Sequence, residues 1–305
     1  MKIYTDLHGR TSLFNIPDWG ISEIQSIGAD IIYDYDDSVN IYFGDLLVGE
    51  DVKSLPNLKW IHFPSVGINR ALIPEVLNSD IVVTNSKGIF CKSVSSLAMS
   101  FILYFSKGLH FVQKLKDENK LNRENFDEYI NYLKEPNDTK CLIVGYGDIG
   151  KELGKMCKSL NMKVYTIQTK DNLMESIYKN RPDFVINLLP LTLKTNHLFD
   201  AKLFKCMKPD SYFINLGRGK TVVEDDLIQI LKDKVIAGAG LDVFDVEPLP
   251  KESELWNLDN VLMTPHIANI DKNYWKNQIE LFIDNLQRFK NNKKLKNLMN
   301  LERGY

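Results

Sequence analysis

The sequence predicts an α/β protein built as two doubly wound parallel-sheet domains, and three observations carry that prediction. Short apolar runs alternate with helix-length segments along almost the whole chain, the pattern of strand-helix-strand units and not of hairpins. One such run, Cys141-Leu142-Ile143-Val144, leads straight into Gly145-Tyr146-Gly147-Asp148-Ile149-Gly150, a glycine-rich turn placed between a buried strand and a helix. The length, 305 residues, is enough for two separate hydrophobic cores.

The elements follow in order. Strand-like runs at residues 2–5, 31–33, 59–63 and 81–84 form a small parallel-sheet domain. A second series starts at Cys141, Val164, Phe184, Tyr212, Ile236 and Val261, six strands in all, as a dinucleotide-binding sheet requires. Residues 93–112 read as one helix apolar on several faces, which implies burial against more than one partner. Residues 271–290 read as an amphipathic helix, with Trp275, Ile279, Phe282, Ile283, Leu286 and Phe289 on one side, returning the chain to the first domain. The expected division is therefore residues 1–94 with 270–305, and residues 95–269. The lysines between 290 and 296 are read as a solvated helix end.

A lone G-x-G-x-x-G is weak, but here it has its context. Ile149, Leu153, Met156, Cys157 and Leu160 recur at helical spacing after it, and Val164-Tyr165-Thr166-Ile167 supplies the second strand, completing a Rossmann unit. Gly145 permits the tight turn, Gly147 lets the backbone approach a pyrophosphate, and Gly150 lets helix and sheet pack, with the helix N-terminus aimed at phosphate. The second strand ends in Gln168-Thr169-Lys170, where NAD-binding versions place an acid on the ribose hydroxyls. With no acid to repel a 2′-phosphate and a lysine to bind one, NADP(H) is favoured over NAD(H). Asp171, in the same loop, is the residue that would restore an acid.

Three residues at strand ends complete the chemistry: Arg218 in Asn215-Leu216-Gly217-Arg218-Gly219, Glu247 in Asp242-Val243-Phe244-Asp245-Val246-Glu247, and His266 in Thr264-Pro265-His266. A guanidinium fork holds the planar carboxylate of a 2-keto acid through two charge-assisted bonds. An imidazolium can protonate the oxygen as hydride reaches the carbonyl carbon. A carboxylate on the far ring nitrogen would orient the imidazole and stabilise its charged form. Singly, each is an ordinary surface Arg, His or Glu; after a dinucleotide fingerprint the trio reads as anion clamp, acid and orienter.

From residue 55 onward the chain resembles the D-isomer-specific 2-hydroxyacid dehydrogenases. The resemblance is carried by Leu55-Pro56-Asn57-Leu58-Lys59-Trp60-Ile61, Ser65-Val66-Gly67-Ile68-Asn69, Val83-Thr84-Asn85, the glycine fingerprint, Leu189-Pro190-Leu191-Thr192, Asn215-Leu216-Gly217-Arg218-Gly219, Gly240-Leu241-Asp242-Val243-Phe244 and Thr264-Pro265-His266. It implies catalytic roles for Arg218, Glu247 and His266, and a flavodoxin-like substrate domain beside the Rossmann domain. It implies that the Val66 and Gly67 amides join Arg218 on the substrate carboxylate, in a cleft between domains that closes over cofactor and then substrate. Asp242 would accept from the nicotinamide carboxamide, and Leu189, Pro190, Thr195, Leu216 and Gly217 would line the cofactor groove. The helix at residues 93–112 would pack across a two-fold homodimer interface. Three departures stand out: Ser95-Ser96 where Glu is frequent, Asp245 where Glu is common, and a short connection between Lys170 and Asp183.

The expected function is reduction of a small 2-keto acid, glyoxylate-like or hydroxypyruvate-like, to the D-2-hydroxy acid by NAD(P)H. The alternative on the same fold is a nicotinamide-sensing corepressor-like protein, for which an intact acid, orienter and clamp would be superfluous. A net charge of −2 gives no general attraction to nucleic acid. Cys91, Cys141, Cys157 and Cys206 lack metal-ligand spacing, so no metal is expected and the thiols read as reduced, which fits the cytoplasm. The N-terminus has no signal-peptide pattern, and the apolar run at residues 97–105 is too short to cross a bilayer.

Overall fold

The computed structural model describes every residue except Arg10, Ser12, Ile68, 169–171 and 302–305, and only the backbone of Asn69. The chain forms two compact units, one of Met1–Phe90 with Asp271–Tyr305 and one of Cys91–Ile270. The first boundary lies four residues earlier than the sequence reading sets it, because the helix there starts at Cys91 and belongs whole to the second unit.

The first unit runs β1 (Lys2–Tyr4), α1 (Asp18–Ser26), β2 (Asp30–Ile32), β3 (Val39–Phe43), α2 (Gly49–Lys53), β4 (Trp60–Phe63), α3 (Pro74–Leu77) and β5 (Val82–Asn85). The strands pair in parallel in the order β2-β1-β3-β4-β5, the order of a flavodoxin-like sheet. The sequence reading misses β3, whose Val39-Asn40-Ile41-Tyr42-Phe43 has four buried residues in five and so lacks a clean period of two. It is the central strand of this sheet among the described residues.

One face of the sheet is covered by the C-terminal helix of the chain. Ile3, Phe43 and Trp60 pack there against Ile279, Phe282 and Leu286, with Phe43 and Phe282 stacked at 4.1 Å. Those last three residues share one face of the Tyr274–Lys290 helix, as its amphipathic pattern predicts.

His62 lies within this aromatic cluster, fully buried, its ring 5.3 Å from Phe43 and 5.4 Å from Phe282. Nδ1 lies 2.8 Å from Thr84 Oγ1, and Nε2 has no partner among the described residues. Burial pushes its pKa from 6.5 down to about 3. Between those values the unfolded chain takes up a proton that the folded chain does not. Stability is therefore retained above the unfolded value and drains away as pH falls towards 3, by about 2 kcal/mol at about pH 5. Urea unfolding of His62→Gln should show a smaller loss between pH 7 and pH 5 than the parent chain; equal losses would assign the acid sensitivity elsewhere.

The second unit runs α4 (Cys91–Ser106), α5 (Leu109–Asp117), α6 (Arg123–Phe126), β6 (Lys140–Val144), α7 (Asp148–Ser159), β7 (Lys163–Ile167), α8 (Leu173–Asn180), β8 (Phe184–Asn187), α9 (Ala201–Phe204), β9 (Tyr212–Asn215), α10 (Glu224–Lys232), β10 (Gly238–Leu241) and β11 (Val261–Met263). The remaining helix, α11 (Tyr274–Lys290), is the one packed in the first unit. The parallel order is β11-β10-β9-β8-β6-β7. The connection from β7 to β8 holds only α8 among the described residues, so the sheet lacks the extra outer strand of the classical Rossmann order. The short connection seen in the sequence has this cause. The fifth strand begins at Gly238, two residues after the buried Ile236 that signals it.

The helix expected over residues 93–112 is two helices. Gly108 adopts φ +63° between α4 and α5, and a side chain there would also meet Leu133 at 2.7 Å, so the chain turns where a helical pattern could have continued. Helix α4 is buried on adjacent faces. Phe105 stacks on Tyr212 of β9 at 4.5 Å, and Ser95 donates to the Ile149 carbonyl of α7 at 3.1 Å. Ser95 thus ties α4 to the first turn of α7.

Candidate active site

The carboxyl ends of parallel strands are where open α/β sheets carry their ligands, at the point where strand order reverses. In the second unit that point lies between β6 and β8, and the loops that leave the strands there stack on one another in sheet order. Gly145, after β6, has φ +98°, and a Cβ would stand 2.9 Å from the Leu188 carbonyl carbon after β8. Gly217, after β9, would place its Cβ 2.6 Å from the Leu189 oxygen. Gly219 is the most confined, because its Cβ would lie 1.8 Å from the Phe244 oxygen after β10. No side chain fits at that distance, so backbone packs directly on backbone along the row.

The first loop fits a dinucleotide pyrophosphate. A Cβ on Gly150 would meet the Gly145 carbonyl at 2.6 Å, closing the turn on itself, whereas one on Gly147 would meet nothing within 4 Å. The open side is therefore at Gly147, the N-cap of α7, where the first amides of that helix have no partner inside it. Tyr146, Asp148 and Ile149 follow the same turn, with Asp148 and Ile149 in the first turn of α7. Gln168 is exposed directly after β7. Thr169 and Lys170, on which the cofactor preference rests, lie with Asp171 outside the described residues.

After β8, Leu189 is buried and Pro190 exposed. Thr195 is buried, its hydroxyl donating to the Pro190 carbonyl at 2.6 Å and accepting from the Thr192 amide at 2.8 Å. Its role in the structure is to shape that loop from behind. Leu216 and Gly217 are buried under the next loop.

Arg218 is held by its backbone. Its carbonyl accepts from the Thr221 amide at 3.1 Å and the Thr221 hydroxyl at 2.6 Å, while Nη1 donates to the Gly217 carbonyl at 2.7 Å. No carboxylate bonds the guanidinium among the described residues. Burial lowers its pKa, and the Glu247 charge opposes the shift. A partly buried cation without a paired anion is a ready site for an anionic ligand.

Glu247 and His266 meet at 2.7 Å, Oε2 to Nδ1, and the other Glu247 oxygen accepts from the Phe244 amide at 3.0 Å. Burial works to raise the Glu247 pKa, but the bonds from His266 and the Phe244 amide outweigh it and hold the carboxyl below its ordinary range. With Nδ1 engaged, Nε2 is the ring nitrogen left for a ligand, and the imidazole remains 44% exposed. His266 has φ +53°, a left-handed conformation that a non-glycine residue adopts only when its surroundings impose it.

Asp242 imposes it. Its backbone carbonyl accepts from the His266 amide at 2.9 Å. Its carboxylate accepts from the Thr264 hydroxyl at 2.6 Å, the Ile267 amide at 2.9 Å and the Ala268 amide at 3.0 Å. Burial raises the Asp242 pKa and these bonds work against that rise. These three bonds to the fully buried carboxylate hold the histidine loop. The sequence reading missed that work, because a loop twenty residues on gives no local signal.

In the first unit the Val66 carbonyl accepts from Asn85 Nδ2 at 2.6 Å and the Gly67 carbonyl from the Ser65 hydroxyl at 2.8 Å. Neither the Val66 nor the Gly67 amide has a partner among the described residues, and Val66 is exposed. Ile68 lies outside the described residues. Among the described residues no group of His, Cys, Asp and Glu could hold a metal ion, no helix is long and apolar enough to cross a membrane, and none of the four cysteines is in a disulfide.

Comparison with known proteins identifies the family and the fold. The sequence pattern of the D-isomer specific 2-hydroxyacid dehydrogenase, NAD binding domain, matches residues 99–268, more than half of the chain. A glyoxylate reductase of Thermococcus litoralis is 32% identical over 264 residues, covering 82% of this chain and 80% of the relative. Among solved structures, a D-isomer specific 2-hydroxyacid dehydrogenase of Xanthobacter autotrophicus Py2, in complex with NADPH and MES, superposes with a TM-score of 0.83 at 23% identity, covering 100% of this chain and 99% of the other. The NADPH-dependent glyoxylate/hydroxypyruvate reductase of Sinorhizobium meliloti, in complex with NADP and sulfate, gives a TM-score of 0.83 at 22% identity, covering 100% and 99%.

Proposed function

Since this chain belongs to the D-isomer-specific 2-hydroxyacid dehydrogenases, and is an oxidoreductase of 2-keto and 2-hydroxy acids on a nicotinamide-dinucleotide domain, we propose that it reduces a glyoxylate-like or hydroxypyruvate-like acid with NADPH. The single observation that supports this most is the His266–Glu247 pair at 2.7 Å, formed between the loops after β11 and β10, the latter adjacent to the strand that carries Arg218. The nicotinamide, when bound, supplies the hydride.

The chain's own residues do the rest. Arg218 binds the substrate carboxylate through its fork and fixes the carbonyl beside it. The His266 Nε2 proton passes to the carbonyl oxygen as charge develops there, leaving a neutral imidazole that keeps its Nδ1 proton on Glu247. In the reverse direction His266 takes that proton back. Where a stereocentre forms, the product is the D-hydroxy acid.

A finer cofactor assignment rests on the strand end. Gln168 and the two residues after it offer no acid to repel a 2′-phosphate, which supports NADP(H) over NAD(H). Exposed Leu109, Leu121 and Ile130, in the segment that follows α4, support a homodimer, and four cysteines joined by no disulfide support a cytoplasmic setting.

Loss of NADPH absorbance on a panel of small 2-keto acids, repeated with NADH, tests the function. Turnover of glyoxylate or hydroxypyruvate with the higher kcat/KM for NADPH is expected. A clear NADH preference would overturn the cofactor assignment, and no turnover of any acid would favour a nicotinamide-sensing role. Glu247→Gln should move the pH optimum of reduction to lower pH, because a neutral amide does not stabilise the imidazolium. An unmoved optimum in a pH-rate profile would remove Glu247 from the role of orienter.

A further inference from the structure

Beneath Arg218 lies a polar network that the proposed mechanism does not use. Asn187 at the end of β8, Asn215 at the end of β9 and Thr221 are all essentially fully buried. Asn187 Nδ2 donates to Asn215 Oδ1 at 2.9 Å and to the Thr221 hydroxyl at 2.7 Å, and its Oδ1 accepts from the Leu189 amide at 3.1 Å. Asn215 Oδ1 also accepts from the Gly217 amide at 3.1 Å. The Thr221 hydroxyl, having accepted from Asn187, donates to the Arg218 carbonyl at 2.6 Å.

Both Asn187 amide hydrogens are committed, and the two bonds they make cross from the loop after β8 to the loop after β9. Networks of this kind fix geometry because no member can rotate without leaving a buried polar group unsatisfied. Two loops are set by it at once: the Leu189 loop through Asn187 Oδ1, and the Gly217-Arg218 backbone through Asn215 and Thr221. The Arg218 side chain reaches its place from a backbone held in this way.

We infer that Asn187 and Thr221 are positioning residues for Arg218, the buried hydroxyl of Thr221 being the link that sets the clamp's backbone. This rests on the proposed role of Arg218. It goes beyond that role in placing affinity for the substrate anion partly in two residues that never reach the ligand.

Thr221→Val and Thr221→Ser separate this from a general structural role. Valine keeps the shape and loses the hydroxyl, so it removes the 2.6 Å bond to the Arg218 carbonyl, leaving the longer one from the Thr221 amide, and deprives Asn187 of an acceptor. The expected result is a KM for the 2-keto acid raised about tenfold, a magnitude ordinary for one buried hydrogen bond, with the NADPH Kd changed less than about twofold. Serine should recover KM to within about threefold of the parent. Binding of oxamate, a 2-keto acid mimic that cannot be reduced, to the NADPH-loaded protein should weaken in parallel. A KM unchanged in the valine variant, equal losses in valine and serine, or an equal loss of NADPH affinity would overturn the inference. Thr221→Ala carries the same test should the valine variant not fold. If the parent binds oxamate but Arg218→Lys binds it equally well, the reading of Arg218 fails instead, and the two failures are told apart.

Discussion

Gly219→Ala is expected to leave the chain less stable by about 3 kcal/mol and to lower kcat/KM at least about a hundredfold. A Cβ there would lie 1.8 Å from the Phe244 oxygen, 1.9 Å from its carbonyl carbon and 2.5 Å from the Asp245 amide nitrogen. All three are backbone atoms, so no side-chain rotation relieves the clash, and one of the two loops must move. Either movement harms the site. The loop after β9 carries Arg218, while the loop after β10 gives the Phe244 amide that binds Glu247 and, at Asp242, the carbonyl that binds the His266 amide. Displacing either shifts the anion clamp relative to the acid. Urea unfolding and steady-state kinetics on the same preparation check both parts, and parent-like kinetics in a folded Gly219→Ala protein would contradict the close stacking of these loops.

Arg218→Lys should lower kcat/KM by about two to three orders of magnitude while leaving NADPH affinity near that of the parent. The charge survives this change, so a purely Coulombic site would tolerate it. A fork does not survive it, and an ammonium cannot place two parallel donors on a carboxylate. The stem matters as well, since Nη1 is tied to the Gly217 carbonyl at 2.7 Å and thereby aimed. The measurement is kcat/KM for the best keto acid together with NADPH affinity by fluorescence titration. A loss confined to NADPH binding would place Arg218 in the cofactor site.

Much of the fold was legible because strand and helix are local periodicities. The glycine fingerprint predicted β6, its turn and α7 almost to the residue, since each glycine there answers a local demand of backbone shape. What failed was equally physical. The strand Val39–Phe43 is buried on both sides and shows no alternation, and the apolar pattern through residue 112 conceals the turn at Gly108, whose left-handed backbone breaks it. In the candidate site, residue type pointed to Arg218, Glu247 and His266, while the bonds that Thr195 and Asp242 make within the protein gave no signal in the sequence.

The sequence by itself determined the residue types available for the reaction and the order in which strands deliver them. Tertiary structure alone decided that Nδ1 of His266 is taken by Glu247, leaving Nε2 for a ligand. It alone decided that His266 is held left-handed by Asp242, and that Asn187 and Thr221 stand beneath Arg218. The reason is the reach of the forces involved. Helical spacing and turn chemistry act over a few residues and are written in order along the chain. Hydrogen bonds such as those joining residues 19, 24, 25 and 34 positions apart here depend on which strand ends the sheet brings side by side, and neighbours in the sheet are not neighbours in the sequence.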